Sequence, residues 1–449
     1  MTGLSAARRQ MLRRSRLMVV SPNRWRARLV FFLGALAIGV VSVLFAQMSD
    51  RAQMLFRQTF GGPGLWHWLP LLVTPLTFAA LALIADRYFP GSQGSGIPQA
   101  IAARHLQDDP RRGGYLTLRI AAGKILMTVA ALCAGASIGR EGPTVQIGAA
   151  IMVFAARVGG LGRVRGLILA GSAAGIAAAF NTPLAGIVFA IEEMSRSYQV
   201  RTNGLVLSAV IIAGIASLSL LGSYTYFGQS HATGTFPRDW GLVIAIGIAG
   251  GTLGGLFSLA TLSLTTRIRR VRRLTRRTRI ALVGLGCGLV VACAGLLSGG
   301  ATFGTGYEEA RGIIGGTAEP WSYFVLKFLA TLASTVSGIP GGLFAPSLSV
   351  GAGLGGAIGS SFGASIGFAA LIGMAAYFAG VVQAPFTTIV IVLEMTGSHT
   401  SVTPIMAAAM IGFAVSRYIS PVPLYHALAR LWIADAIRQR RTTHETPAH

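Results

Sequence analysis

Acidic residues are scarce in this chain. It carries 14 Asp and Glu against 38 Lys and Arg, a formal net charge of +24, and charged residues of both signs make up only 12%. Soluble domains average about 25%, so the shortage excludes a solvated exterior over most of the molecule. Cysteine is scarcer still. Cys133, Cys287 and Cys293 lie apart in apolar surroundings. No Cys–Cys or Cys–His spacing suggests a metal, and the three read as small buried hydrophobes. His105, His399 and His426 read as loop or helix-end residues with nothing to mark them as ligands. No nucleotide-binding glycine loop and no catalytic triad stands out. The sequence therefore points to no cofactor, no metal and no enzyme.

What remains is apolar: 53% of the chain is hydrophobic and 59 residues are glycine. Runs long enough to cross a bilayer recur, as in Leu29 to Ala46, Leu71 to Ala85, Gly204 to Leu221, Leu242 to Leu264 and Ile280 to Leu297. The fold class expected is an all-α polytopic membrane protein, its glycines allowing close helix packing and interrupted spans. The first run, preceded by arginines, reads as a retained membrane helix rather than a signal peptide. Arginines gather in the N-terminal tail (Arg8, Arg9, Arg13, Arg14, Arg16, Arg24, Arg26, Arg28), between two spans (Arg267, Arg269, Arg270, Arg272, Arg273, Arg276, Arg277, Arg279) and near the C-terminus (Arg438, Arg440, Arg441). Basic loops stay on the cytoplasmic side, beside anionic lipid. That places both termini in the cytoplasm and accounts for the charge without nucleic acid.

The chain divides into a basic tail (1–27), a first membrane repeat (28–226), a linker (227–239), a second membrane repeat (240–435) and a polar tail (436–449), irregular from Arg438. No appended soluble regulatory domain is expected. The division rests on internal identity. Shifted by 203 positions, Lys124, Leu126, Thr128, Ala130, Gly135, Gly139, Pro143, Gly148 and Ala149 fall on Lys327, Leu329, Thr331, Ala333, Gly338, Gly342, Pro346, Gly351 and Ala352. Shifted by 202, Pro183, Ile187, Val188 and Glu192 fall on Pro385, Ile389, Val390 and Glu394. Repeats with matched Gly/Pro interruptions mark a transporter whose site lies between the halves, although identity alone does not say whether they are parallel or inverted. Two acids break the match: Glu141 falls on Phe344 and Glu193 on Met395. Matched residues read as scaffold, Glu192 among them, and unmatched acids as function.

Gly139-Arg140-Glu141-Gly142-Pro143 is the stretch that most needs explaining. Ionisable residues at membrane depth are costly and line pathways or pair with one another. The glycines and Pro143 break the backbone, with a new helix expected at about Pro143. The exposed amides and positive dipole of such a start favour an anion. Gly94-Ser95-Gly96-Ile97-Pro98 and Gly342-Leu343-Phe344-Ala345-Pro346 are similar breaks, and Tyr425 follows Pro423-Leu424. Read locally, Ser95 is a helix cap, Tyr425 an interfacial anchor, Leu343 and Phe344 packing residues, and Glu141 a partner of Arg140. Arg140 could equally take Glu192 or Glu394.

Taken in order, the three breaks and the tyrosine strongly resemble the CLC family of chloride channels and chloride/proton antiporters, from about Arg28 to Arg430. The resemblance implies two inverted repeats with broken, tilted helices, one pore per subunit and a homodimer in the inner membrane. It implies that Ser95 and Tyr425 supply hydroxyls, and Leu343 and Phe344 amides, to a midplane chloride. Donors without full charge hold a halide loosely enough for turnover. It makes Glu141 both gate and proton carrier, Glu193 the inner proton-transfer acid, and Lys124 and Arg140 supporting charges. Family members often carry acids where this chain has Gln99 and Ile101, so the inner proton route departs from the pattern. The function expected is secondary active chloride/proton antiport. The alternative is a passive voltage- or pH-gated chloride channel on the same fold.

Overall fold

The computed structural model describes residues 22–444, apart from 63, 107–111, 163, 196–199, 223–224, 231, 235–236, 272 and 399. His399, the tail arginines before residue 22 and residues 445–449 lie outside the described residues. Regular structure among the described residues is helical. The first half comprises α1 (Pro22–Phe60), α2 (Pro70–Tyr88), α3 (Ile97–His105), α4 (Leu118–Leu132), α5 (Glu141–Gly159), α6 (Val164–Phe180), α7 (Pro183–Phe189, running on as a wide π-helical turn, Ala190–Ser195) and α8 (Val200–Leu221). The second half repeats the series as α9 (Trp240–Arg270), α10 (Arg276–Leu297), α11 (Tyr307–Ile314), α12 (Trp321–Val336), α13 (Phe344–Ser361), α14 (Ile366–Val382), α15 (Pro385–Thr396) and α16 (Val402–Ile419), and α17 (Leu424–His444) follows.

Seven described helices, α1, α2, α5, α8, α9, α10 and α16, are long and apolar enough to cross a bilayer. At 1.5 Å per residue the 39-residue α1 measures roughly 58 Å, nearly twice a hydrocarbon core, so it tilts or projects beyond the bilayer. Helices α3, α7 and α11 are too short to span, and α3 starts among buried residues, where broken helices are tolerated.

The halves pack alike. Helix α5 lies on α6 as α13 lies on α14, α8 on α6 as α16 on α14, and α1 on α8 as α9 on α16. Helices α2 and α10, counterparts of each other, pack together, as do α7 and α15. Backbones come close at these contacts: a Cβ on Gly288 would meet the Pro75 Cα at 2.5 Å, and one on Gly148 would meet the Gly171 carbonyl oxygen at 2.2 Å. Each half also holds one fully buried lysine. Lys124 Nζ donates to the carbonyls of Ser92 (2.7 Å) and Gly94 (3.0 Å) and to Gln146 Oε1 (2.8 Å). Lys327 Nζ donates to those of Thr302 (2.9 Å) and Gly304 (2.8 Å). Each ammonium thus clamps the loop that feeds the next short helix, α3 or α11.

Several expectations need correcting. Helix α5 starts at Glu141, not Pro143. Proline fits anywhere in the first turn, where amides lack intrahelical acceptors, and Pro143 stands third as Pro346 does in α13. Helix α1 begins at Pro22, inside the expected tail. Helix α17 continues to His444, so the segment from Arg438 is helical, as its Arg and Gln residues favour. Cys133 and Cys287 are half-buried and Cys293 is exposed, because they occupy apolar helices with outward faces rather than the core.

Candidate functional site

The three glycine-rich breaks meet at the centre of the molecule. Gly139 and Gly342 exchange both backbone hydrogen bonds, each 2.7 Å. These residues are counterparts, 203 positions apart, so the pseudo-twofold axis relating the halves passes between them. Gly94 joins the same ribbon, donating to the Ile339 carbonyl and accepting from Gly341, both at 3.1 Å. Glycine is required where these strands touch: a Cβ on Gly142 would stand 3.0 Å from Ser95 Oγ and 3.2 Å from the Gly342 Cα.

This ribbon aims helix starts at one place. Helix α3 begins with Ile97 after Gly96, α5 with Glu141 and α13 with Phe344. The first amides of each helix, those of Leu343 and Phe344 included, have no intrahelical acceptor and carry the positive dipole end. The Glu141 carboxylate lies among them. It is fully buried, its Oε2 would lie 2.2 Å from a Cβ on Gly139, and its own amide and that of Ala345 face it. Tyr226 donates to its Oε1 at 3.3 Å. An acid thus sits where two helix N-termini favour an anion.

Ser95 Oγ accepts from the Ile97 amide at 3.3 Å, but the residue at the cap position of α3 is Gly96, so Ser95 is not the helix cap its local sequence suggests. The Tyr425 hydroxyl faces it, fully buried and without a well-formed hydrogen bond. The Tyr425 ring stands 6.1 Å from that of Phe344, which also meets Phe180, Phe189 and Phe378. Ser95, Glu141, Leu343, Phe344 and Tyr425, spread over some three-quarters of the chain, therefore share one apolar, donor-lined centre. Two hydroxyls and several helix-start amides around an aromatic wall can strip and replace the water around one small anion.

The sequence profile described as voltage-gated chloride channel matches residues 76–417. The chain belongs to this family. Among curated proteins it is 31% identical to the H(+)/Cl(-) exchange transporter ClcA of Yersinia pestis bv. Antiqua (strain Angola), over 96% of this chain and 93% of that one. It is 30% identical to the ClcA of Klebsiella pneumoniae subsp. pneumoniae, over 82% and 81%. The fold is that of a slow cyanobacterial Cl-/H+ antiporter (TM-score 0.78, 24% identity, 91% of this chain and 98% of that one). A CLC-type fluoride/proton antiporter is also similar (TM-score 0.75, 23% identity, 89% and 96%). The chain is thus a multi-pass membrane protein with the CLC fold of two inverted repeats.

Glu192 and Glu193, adjacent in the CLC chain, part company in the π-helical turn. Glu192 accepts from the amides of Phe386 (3.1 Å) and Thr387 (2.6 Å), at the start of α15. Its counterpart Glu394 accepts from those of Leu184 (3.2 Å) and Ala185 (2.7 Å), at the start of α7. The two carboxylates cap each other's helix across the axis, a structural role that agrees with their match in the repeat. Glu193 turns inward, 1% exposed, within electrostatic reach of Tyr425.

Arg140 takes neither Glu192 nor Glu394. Its Nη1 binds Asp50 and the Ala46 carbonyl on α1, both at 2.7 Å, and its guanidinium stands 5.6 Å from the Tyr226 ring centre. Gln99 Nε2 is spent on the Gln93 carbonyl at 2.5 Å, and Ile101 is buried. Sequence reasoning missed Tyr226, which it left at the edge of a linker, and His426, which it set aside. The His426 Nε2 lies 2.9 Å from the Glu193 carbonyl and 3.6 Å from its Oε1. A tyrosine one place before an otherwise polar linker, and a histidine next to Tyr425, were the only local signals.

Proposed function

We propose that this protein is a secondary active chloride/proton antiporter, with Glu141 as gate and outer proton carrier. The observation that carries the reading is the Glu141 carboxylate lying between the starts of α5 and α13, beside the backbone amide of Ala345. An anionic side chain there competes with chloride for one set of donors. Protonated, it loses its charge and with it the attraction of the helix starts, and it yields the place. Chloride is held next to it by the Ser95 and Tyr425 hydroxyls and the Leu343 and Phe344 amides. Proton occupancy and chloride occupancy then exclude each other at one point, which couples the two flows.

The second buried acid supports exchange over a passive channel. A chloride needs donors and a proton needs titratable groups, so the routes part where Tyr425 closes the anion path. Glu193, buried within electrostatic reach of Tyr425, is the titratable group that carries the proton from there. Lys124 acts by holding the Ser92–Gly94 loop, and so Ser95, in place. Arg140 holds the outer end of the site to α1 through Asp50. We further propose a homodimer with one pore per subunit in the inner membrane of the cell, both termini cytoplasmic and next to anionic lipid. The cargo is chloride and protons, and the scheme calls on no cofactor, metal or nucleic acid.

Proton movement in vesicles containing the purified protein tests the reading. A chloride gradient should drive protons uphill in the opposite direction. Chloride flux without proton movement would establish a passive channel instead, and absence of both would end the proposal.

A further inference from the structure

The inner acid is more deeply buried than its neighbour. The Glu193 side chain is 1% exposed, and that of His426, against it, is 16% exposed. The two stand 233 positions apart and meet because α17 packs along α3 beside the π-helical turn. His426 Nε2 rests on the Glu193 carbonyl at 2.9 Å, with Oε1 only 3.6 Å away, so a small rotation of the ring moves the nitrogen from one oxygen to the other. Imidazole is the side chain whose ordinary pKa lets it gain and lose a proton near neutral pH.

We propose that His426 is the proton relay between solvent and Glu193, an inference that rests on the antiporter reading. In the inward step the partly exposed imidazole takes up a proton and becomes imidazolium. Its Nε2–H bond then breaks as an O–H bond forms on Glu193, leaving a neutral imidazole and a neutral acid. The outward step reverses both bonds. No oxidant or further reactant is needed. The relay also answers the missing acids: Gln99 and Ile101 bring no titratable group to this end, whereas α17 does.

The surrounding groups leave room for that role. Helix α3 brings Arg104, which binds the Met194 carbonyl (2.5 Å) and Ser195 Oγ (3.0 Å), and His105, whose Nδ1 lies 2.9 Å from the Ile101 carbonyl. Arg165 lies near Arg104. Helix α9 brings Arg269, paired with Asp435 further along α17. Helix α14 brings only Tyr377, and Tyr425 adjoins His426 in sequence. Arg104 fixes the turn through its backbone and cannot exchange protons at neutral pH.

The bland possibility is that the imidazole merely pins α17 to the turn through the Glu193 carbonyl. His426→Gln separates the two, because its amide still donates to that carbonyl but cannot titrate. Chloride and proton flux would be measured together in vesicles from about pH 5 to 8, the range in which His changes charge. Chloride flux in His426→Gln should persist while proton flux falls roughly a hundredfold or more, the low end of what a placed acid–base group contributes. In His426→Ala, added imidazole should restore part of the proton flux. Coupled exchange of unchanged ratio in His426→Gln at every pH would overturn the relay. So would equal loss of both fluxes in His426→Gln and His426→Ala without imidazole rescue, which is the signature of pinning alone. Wild-type vesicles that move chloride without protons would instead remove the antiporter reading beneath it.

Discussion

The two halves of this molecule share a scaffold and differ in two acids. Lys124 and Lys327 clamp equivalent loops, Gly139 and Gly342 bond each other, and Glu192 and Glu394 cap each other's helix. Where the first half has Glu141 and Glu193, the second has Phe344 and Met395. Phe344 fills its place with an aromatic wall that meets Phe180, Phe189, Phe378 and Tyr425. On the proposed reading, symmetry builds a place for an anion, and asymmetry decides what governs entry to it. A symmetric pair of acids would put two like charges beside one chloride, and a symmetric pair of phenylalanines would carry no proton.

The largest expected effect comes from erasing the first asymmetry. Glu141→Gln keeps the shape of the protonated acid and removes its titration. Chloride flux should continue, and proton coupling should vanish together with the pH dependence of the chloride flux. Proton pumping in vesicles of this variant would contradict the gate assignment. Glu193→Gln should also abolish proton transport while sparing chloride, if the proposed inner proton route runs apart from the anion. Parallel flux assays with Glu192→Gln sharpen the contrast, because that variant loses a cap and should lower stability without separating the two flows. If Glu193→Gln exchanges with normal coupling, the inner proton route must run elsewhere.

Intermediate effects are expected at the shared anion place. Ser95→Ala and Tyr425→Ala each remove one donor to an ion, a loss of roughly 1.5–3 kcal/mol, or about ten- to hundredfold in chloride affinity. Calorimetry on the purified variants measures it, and unchanged affinity in both would remove these hydroxyls from the site. For the scaffold, Glu192→Gln and Glu394→Gln should lower the melting temperature by similar amounts, because their contacts are related by the axis. A large inequality would break the comparison of the halves. The smallest effect is predicted for Tyr226→Phe. It deletes one 3.3 Å bond to the Glu141 carboxylate and should loosen the closed gate by about 1 kcal/mol, seen as a severalfold rise in chloride flux at high pH.

Much of this was legible in the sequence because glycine and proline act locally. A Gly-rich break before proline marks a helix start wherever it stands, and matched breaks reveal the repeat. The same locality explains the misses. Pro143 dates the helix start only to within a turn, so Glu141, not Pro143, proved to be the first residue. The sequence left Arg140 a choice among Glu141, Glu192 and Glu394, and it pairs instead with Asp50 on α1, 90 positions upstream by their numbers, which no spacing rule connects to it.

The sequence by itself determined that the chain crosses a membrane many times, in two related halves, with broken helices whose starts favour an anion. It also singled out the unmatched acids, since burying a charge in apolar surroundings needs a purpose. The tertiary structure alone decided which breaks face one another and which side chains meet the acids. Gly139 bonds Gly342 because the halves are inverted about an axis between them, a relation that identity does not encode. Tyr226 reaches Glu141 over 85 positions and His426 reaches Glu193 over 233. Contacts of that length depend on how whole helices pack, and packing is settled by the shape of all the faces together rather than by any short stretch of residues.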